Sequence, residues 1–303
     1  MFPQNPRIVS LAEIVEGARL FVAEMPTYGI RVPVKSRVRQ YLEALEEWLE
    51  CVESKPGHRD GETIQRFIFA YQEIFLLARI FDELKRPPEV EGWQKRFRKI
   101  LKGPFFPGDE DDWRRDIQAE LQFAAIAKQR GFQPELGFNK NEPDVILCYG
   151  TDWLAVEAKR PHSVDRIKDR VRVAADQIAR RGLNGGLIFL DLSIALAKVK
   201  REILSPQAKV AEPWHIERPD QLPGFKMRLG HHLLDILSLH KSYIPQNSAP
   251  QVFGMSALSI ETVFFGPVTP YLPPAATLGG LSHYALSHFG GRFYSDFRVG
   301  FQT

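Results

Sequence analysis

The chain has 303 residues, a formal net charge of +3, 44% hydrophobic residues and two cysteines. That length points to one large domain or two. A charge so near zero does not by itself call for a polyanionic partner. Cys51 and Cys148 are too few for a disulfide framework or a zinc set, and no stretch reaches the roughly 18 apolar residues of a membrane span. The N-terminus lacks the basic-then-apolar pattern of an export signal, so a reducing, cytoplasmic setting without membrane attachment is expected.

Residues 1 to 103 are expected to be mostly helical. Across Arg37–Glu53, the residues Val38, Tyr41, Leu42, Leu45, Trp48 and Leu49 form one apolar stripe. Glu62–Lys85 is greasier, through Phe67, Tyr71, Ile74, Leu77 and Phe81. Its density predicts burial on more than one side, in a helical bundle or a homodimer interface. Pro87-Pro88 ends it. The basic segment Trp93–Lys102 follows, with aromatics interleaved. Gly103-Pro104-Phe105-Phe106-Pro107-Gly108 then breaks the chain, dividing a helical domain (1–103) from a second domain (104–303).

Asp109–Arg130 is again helical in period, with Trp113, Ile117, Leu121, Ala124 and Ala125 as its stripe. Asp109, Glu110, Asp111 and Asp112 open it, where acids complement the helix dipole. At about 100° per residue, Glu120 falls among the apolar positions. A carboxylate there is costly unless it is paired or metal-bound. It is either a functional acid or a stripe-margin Glu that reaches solvent or meets an Arg.

Gly131 stops the helix, and Phe132–Phe138 reads as a first strand. Pro143-Asp144-Val145-Ile146-Leu147-Cys148-Tyr149 and Trp153-Leu154-Ala155-Val156-Glu157-Ala158-Lys159 then read as the arms of a hairpin. With a two-residue turn at Gly150-Thr151, Tyr149 pairs with Asp152, and counting back places Asp144 opposite Glu157. Residues so opposed share a face about 5 Å apart at Cβ, and Lys159 emerges on that face too. Two opposed carboxylates repel, whereas a bound dication reverses the sign of that energy. Oxygen-only ligands select a hard ion such as Mg²⁺. An ammonium beside it can activate water or stabilise charge on a phosphate, so the set suits metal-assisted phosphodiester hydrolysis. An ordinary solvated Glu157–Lys159 pair on a surface hairpin is the alternative.

Ser163–Arg181 is expected as a helix with Ser163 as N-cap, and Gly185–Leu192 as a buried strand. The order α-β-β-β-α-β predicts an α/β fold, a mixed sheet flanked by helices. Further on, His231–Leu237 reads as a helix, Gln251–Phe265 as strand and Pro267–Gly280 as a long loop. His231, His232, His240, His283 and His288 lack zinc spacing and read as packing or surface histidines.

Glu120, Pro143-Asp144 and Glu157-Ala158-Lys159, in that order, resemble the PD-(D/E)xK nuclease superfamily, with its restriction-endonuclease-like fold. The resemblance covers residues 109–192 and implies an Mg²⁺-dependent endonuclease, with Mn²⁺ as a substitute ion. It implies Asp144 and Glu157 as metal ligands with the Ala158 carbonyl, Lys159 as the catalytic lysine, Glu120 as the helix acid and Gln177 as the helix glutamine. DNA is the expected substrate, RNA remains open, and a role in defence against foreign DNA or in DNA processing follows from the resemblance.

From Lys159 to Arg181, eight cations stand against three acids. With the earlier basic segment they form two patches of the kind that bind phosphates. Arg160, Arg166, Lys168, Arg170, Arg172, Lys95, Arg96 and Arg98 are the candidate nucleic-acid contacts. An intact acid set with its lysine argues against the alternative, a catalytically silent module that binds nucleic acid or a protein partner.

Overall fold

Five helices precede the first strand in the computed structural model, which describes residues 10–54, 61–106, 113–139, 141–181, 183–196, 215–216, 222–265 and 275–299. They are α1 (Leu11–Glu24), α2 (Arg37–Ser54), α3 (Gly61–Leu84), α4 (Trp93–Ile100) and α5 (Trp113–Gln129). A capping box starts α1: the Ser10 hydroxyl accepts the Glu13 N–H at 3.2 Å and the Glu13 carboxylate accepts the Ser10 N–H at 2.7 Å. The acids Asp109–Asp112, expected to open α5, lie outside the described residues. Trp113, expected in the α5 stripe, is exposed, while Leu121, Ala124 and Ala125 are buried.

Strands follow as β1 (Pro134–Leu136), β2 (Val145–Tyr149), β3 (Asp152–Lys159), β4 (Gly186–Asp191), β5 (His215–Ile216), β6 (Val252–Phe265) and β7 (Ala275–Ala285). Helix α6 (Ile167–Arg180) joins β3 to β4, α7 (Leu222–His240) precedes β6, and α8 (His288–Val299) follows β7. They form one mixed sheet in the order β1-β2-β3-β4-β6-β5, with β7 also on β6. β1, β2 and β3 pair antiparallel, β3, β4 and β6 parallel, and β6 and β7 antiparallel.

The sheet is covered on both faces. Val156, Ala158, Leu187 and Phe189 join a core with α1–α5 and α8, whereas Ala155, Ile188 and Leu190 pack with α6 and α7. Alternation along β3 and β4 therefore separates two helical layers. The described helices before residue 103 share the first of these cores with α5 and the sheet. On α3, Phe67, Ile74 and Phe81 on one side and Leu76 and Ile80 on the other are all buried, so this chain itself covers the greasy helix on several sides.

Two expectations are corrected. Ser163 makes no side-chain cap, and a 3-10 turn (Val164–Arg166) leads into α6 instead. Within the expected loop Pro267–Gly280, residues 266–274 lie outside the described residues, but Ala275–Gly280 belong to β7. They pair with β6 from Gly280↔Ser259 to Ala275↔Phe264. Long-range pairing there outweighs a glycine-rich composition that disfavours strands.

Candidate active site

The β2–β3 hairpin closes on Tyr149↔Asp152, and its register runs to Val145↔Val156. The next pair back is Asp144 and Glu157. Asp144 is the pivot: its Oδ2 accepts the Ala158 backbone N–H at 2.9 Å and the Lys159 ammonium at 2.8 Å. The same ammonium donates to Glu157 Oε2 at 3.2 Å. Glu157 is fully buried and Lys159 nearly so, so a solvated surface pair is excluded.

This amine is short of negative neighbours on no side, and the acids are not so well served. Burial, then the Asp144 charge beside it, pushes the Glu157 carboxyl up to about 8, against the pull of Lys159 and Arg181. Lys159 moves the other way. Burial alone would lower it, but Asp144 and Glu157 hold its pKa above the ordinary lysine value. The second Glu157 oxygen, Oε1, is buried without a hydrogen-bond partner among the described residues. Arg181 forms an ion pair with it, with Nε 3.5 Å away.

Glu120 lies at the rim of this group. Burial first, then Asp144, raises its carboxyl to about 8, with Arg96 and Lys159 opposing. Its oxygen Oε2 accepts a hydrogen bond from Arg96 Nη1, while Arg96 Nη2 donates to the Gly137 carbonyl. The helix acid thus meets a neighbouring Arg, one of the two readings open to it. The physical reason is Arg96, which α4 brings in between Glu120 and the Gly137 carbonyl.

The donor set fits a hard dication only in part. Two opposed carboxyls, half-buried Asp144 and buried Glu157 with its unbonded oxygen, are a place where a cation with retained waters is favourable. Asp144 and Glu157 are the residues that would hold it. Glu120 is turned elsewhere, since its Oε2 accepts from Arg96. Among the described residues, no group of three or more His, Cys, Asp or Glu is gathered closely enough to hold a metal ion. Ala158 enters through its N–H to Asp144.

Gln177 sits on α6 with a buried Oε1 that has no hydrogen-bond partner among the described residues. It precedes Arg181 by four residues, on the same helix face. Arg181 itself, which reaches Glu157, is a site residue that the motif does not mark. Asp116 is another. It accepts the Arg160 N–H at 3.0 Å and the Arg170 guanidinium at 3.2 Å, and its charge acts on Lys159. Its signal was available in the sequence, since Asp116 and Glu120 are four apart on α5.

The basic candidates divide. Lys95, Arg98, Arg166, Lys168 and Arg172 are exposed, with Lys168 resting over the Tyr243 ring at 5.0 Å. Arg96 and Arg170 turn inward to Glu120 and Asp116. Arg160 is a correction: instead of a phosphate near the scissile bond, it meets two internal acids. It is 3% exposed and pairs with Glu73 on α3 and with Asp191 at 2.7 Å. One residue beyond Lys159 on an alternating strand, it emerges on the opposite face, toward the N-terminal helices.

No described helix is long and apolar enough to cross a membrane. No family model matches the chain, and no curated protein and no solved structure matches it.

Proposed function

We propose that the protein is a metal-dependent nuclease of the PD-(D/E)xK kind, with DNA as its substrate. The observation that carries this reading is a single one: Asp144 and Glu157 face each other across a hairpin, and the Lys159 ammonium lies within 2.8 and 3.2 Å of their oxygens. Glu157, a buried acid with a raised pKa beside a lysine, is a group of the kind expected at a reacting centre.

A bound Mg²⁺ would supply Lewis-acid polarisation of the phosphate and a more acidic water. The rest falls to side chains of this chain. Asp144 and Glu157 hold the cation site. Lys159, held between them, orients a water for in-line attack and keeps one proton donor beside the phosphate oxygens. The Ala158 N–H fixes the Asp144 rotamer. Exposed Arg166, Lys168 and Arg172 supply a surface for the phosphate backbone.

The test is incubation of the purified chain with plasmid, linear, branched and single-stranded DNA, and with RNA, in Mg²⁺, Mn²⁺ or EDTA. Cutting that needs the ion and disappears in Asp144→Asn and Lys159→Ala supports the reading. Cutting by Asp144→Asn at the parental rate ends it. A second reading, a silent nuclease-fold module that binds without cutting, is favoured by one feature: Glu120 is already paired with Arg96. DNA binding with no cutting of any substrate would select it.

A further inference from the structure

We propose that Arg96 is a phosphate-binding residue through which the N-terminal helices complete the active site, and that Glu120 anchors this arginine instead of holding metal. The proposal rests on the nuclease reading of Asp144, Glu157 and Lys159 and assigns the role of the neighbouring acid.

Helix α4 is firmly seated. Trp93, Phe97 and Ile100 are buried in the shared core, while Lys95, Arg98 and Lys99 face outward. Arg96 lies between these faces, its side chain 19% exposed. Its two terminal nitrogens are spoken for, one by Glu120 and the other by the Gly137 carbonyl. Such a double hold fixes the plane of the guanidinium.

Gly137 ties this hold to the catalytic group. Its N–H donates to the Asp144 carbonyl at 3.4 Å. A Cβ at Gly137 would stand 2.1 Å from the Pro143 carbonyl oxygen, so only glycine allows the two segments to approach this closely. Arg96, Gly137 and Asp144 are therefore linked through consecutive hydrogen bonds. The planar fork of arginine carries five N–H donors, and two directed bonds leave others for phosphate oxygens. Lysine could not hold both anchors and a phosphate in one plane.

The chemistry of the acid agrees. Glu120 Oε2 is directed at a guanidinium, and among the described residues Glu120 belongs to no group of three or more His, Cys, Asp or Glu gathered closely enough to hold a metal ion. Positioning of Arg96 accounts for an acid at a buried stripe position without assigning it to the metal.

Two isotherms on the full chain decide the matter. The first is fluorescence anisotropy of a short labelled DNA, titrated in EDTA at several salt concentrations. The second is calorimetric titration with Mn²⁺ in the absence of DNA. Arg96→Met is expected to weaken DNA binding about tenfold and to lower the salt slope by about 1. Arg96→Lys keeps the charge but loses the fork, so binding should fall about threefold to tenfold. Glu120→Gln, which still accepts from Arg96, should bind Mn²⁺ within about twofold of the parent, whereas Asp144→Asn should not.

DNA binding by both Arg96 variants at the parental affinity and slope would overturn the assignment, as would loss of Mn²⁺ binding in Glu120→Gln. A parent that binds no DNA would overturn it too. The nuclease reading fails separately, through a parent that cuts nothing or an Asp144→Asn that keeps Mn²⁺; the anisotropy of the Arg96 variants is untouched by that result.

Discussion

Lys159 and Arg160 are neighbours in sequence, yet they belong to two buried charge clusters on opposite faces of β3, and the clusters treat their acids in opposite ways. Behind Arg160 lies Glu73, which receives Arg160 and Arg115 together with the Gln118 amide at 3.2 Å. Burial alone would raise the Glu73 carboxyl, but Arg160 and Arg115 overcome it and hold it down at about 2. Around Lys159 the acids face one another, and Glu157 is pushed up to about 8. The first cluster is a clamp, in which charges are matched and fixed. The second holds carboxyls that are poorly matched, and perturbation of that kind marks sites of binding or chemistry. Burial of ionisable groups does not distinguish the two; the balance of charge around each acid does.

The sharpest way to break this contrast is Arg160→Ala. It strands Glu73 and Asp191 without their shared cation, and a broken buried pair costs about 3–5 kcal/mol. Urea denaturation should show that loss, and an unchanged midpoint would mean that the clamp is no clamp. Asp144→Asn should do the reverse. It keeps an acceptor for the Ala158 N–H and removes one of two opposed charges, so stability is retained while cutting falls about a hundredfold or more. A variant that unfolds would make Asp144 structural, on a par with Glu73.

A pH series sharpens the comparison further. Glu157 has a folded pKa of about 8, above its unfolded value near 4.5. Between these values the folded state keeps a proton that the unfolded state has lost, so its contribution to stability falls as pH rises through that window. Glu157→Gln does not titrate and should gain in melting temperature relative to the parent from pH 5 to pH 8.5. Glu73, held at about 2, works in the other sense: its contribution is present above the ordinary carboxylate range and is lost as pH falls toward 2. A pH-independent difference between Glu157→Gln and the parent would remove the distinction.

The smallest effect is expected on the exposed face of α6. Lys168→Gln with Arg172→Gln should change stability by less than about 0.5 kcal/mol, while lowering the salt slope of DNA binding by about 2. A slope equal to the parent's would move the phosphate surface elsewhere.

Much of this contrast could be read from residue order. Proximity to the motif suggests a phosphate for Arg160, whereas strict alternation along the strand sets it opposite Lys159. Arg96 lies among basic neighbours, yet Trp93, Phe97 and Ile100 form the apolar stripe of that helix, and Arg96 adjoins it. The mixed sheet flanked by helices followed from the sequence of periods, α then three β then α then β. The β6–β7 ladder did not, because glycines and prolines between Pro267 and Gly280 mask a strand that only its partner stabilises.

Residue order alone determined the hairpin, its register and the shared face of Asp144, Glu157 and Lys159, since a two-residue turn and a period of two leave no freedom. It also determined that Glu120 lies on the buried side of its helix. Tertiary structure alone decided what meets each buried group: Arg96 for Glu120, Arg181 for Glu157, and Glu73 for Arg160 across 87 residues of chain. Local periodicity specifies which face a side chain takes. The group covering that face is fixed by the packing of distant segments, and it is this partner that makes one buried acid a matched clamp and leaves another poorly matched.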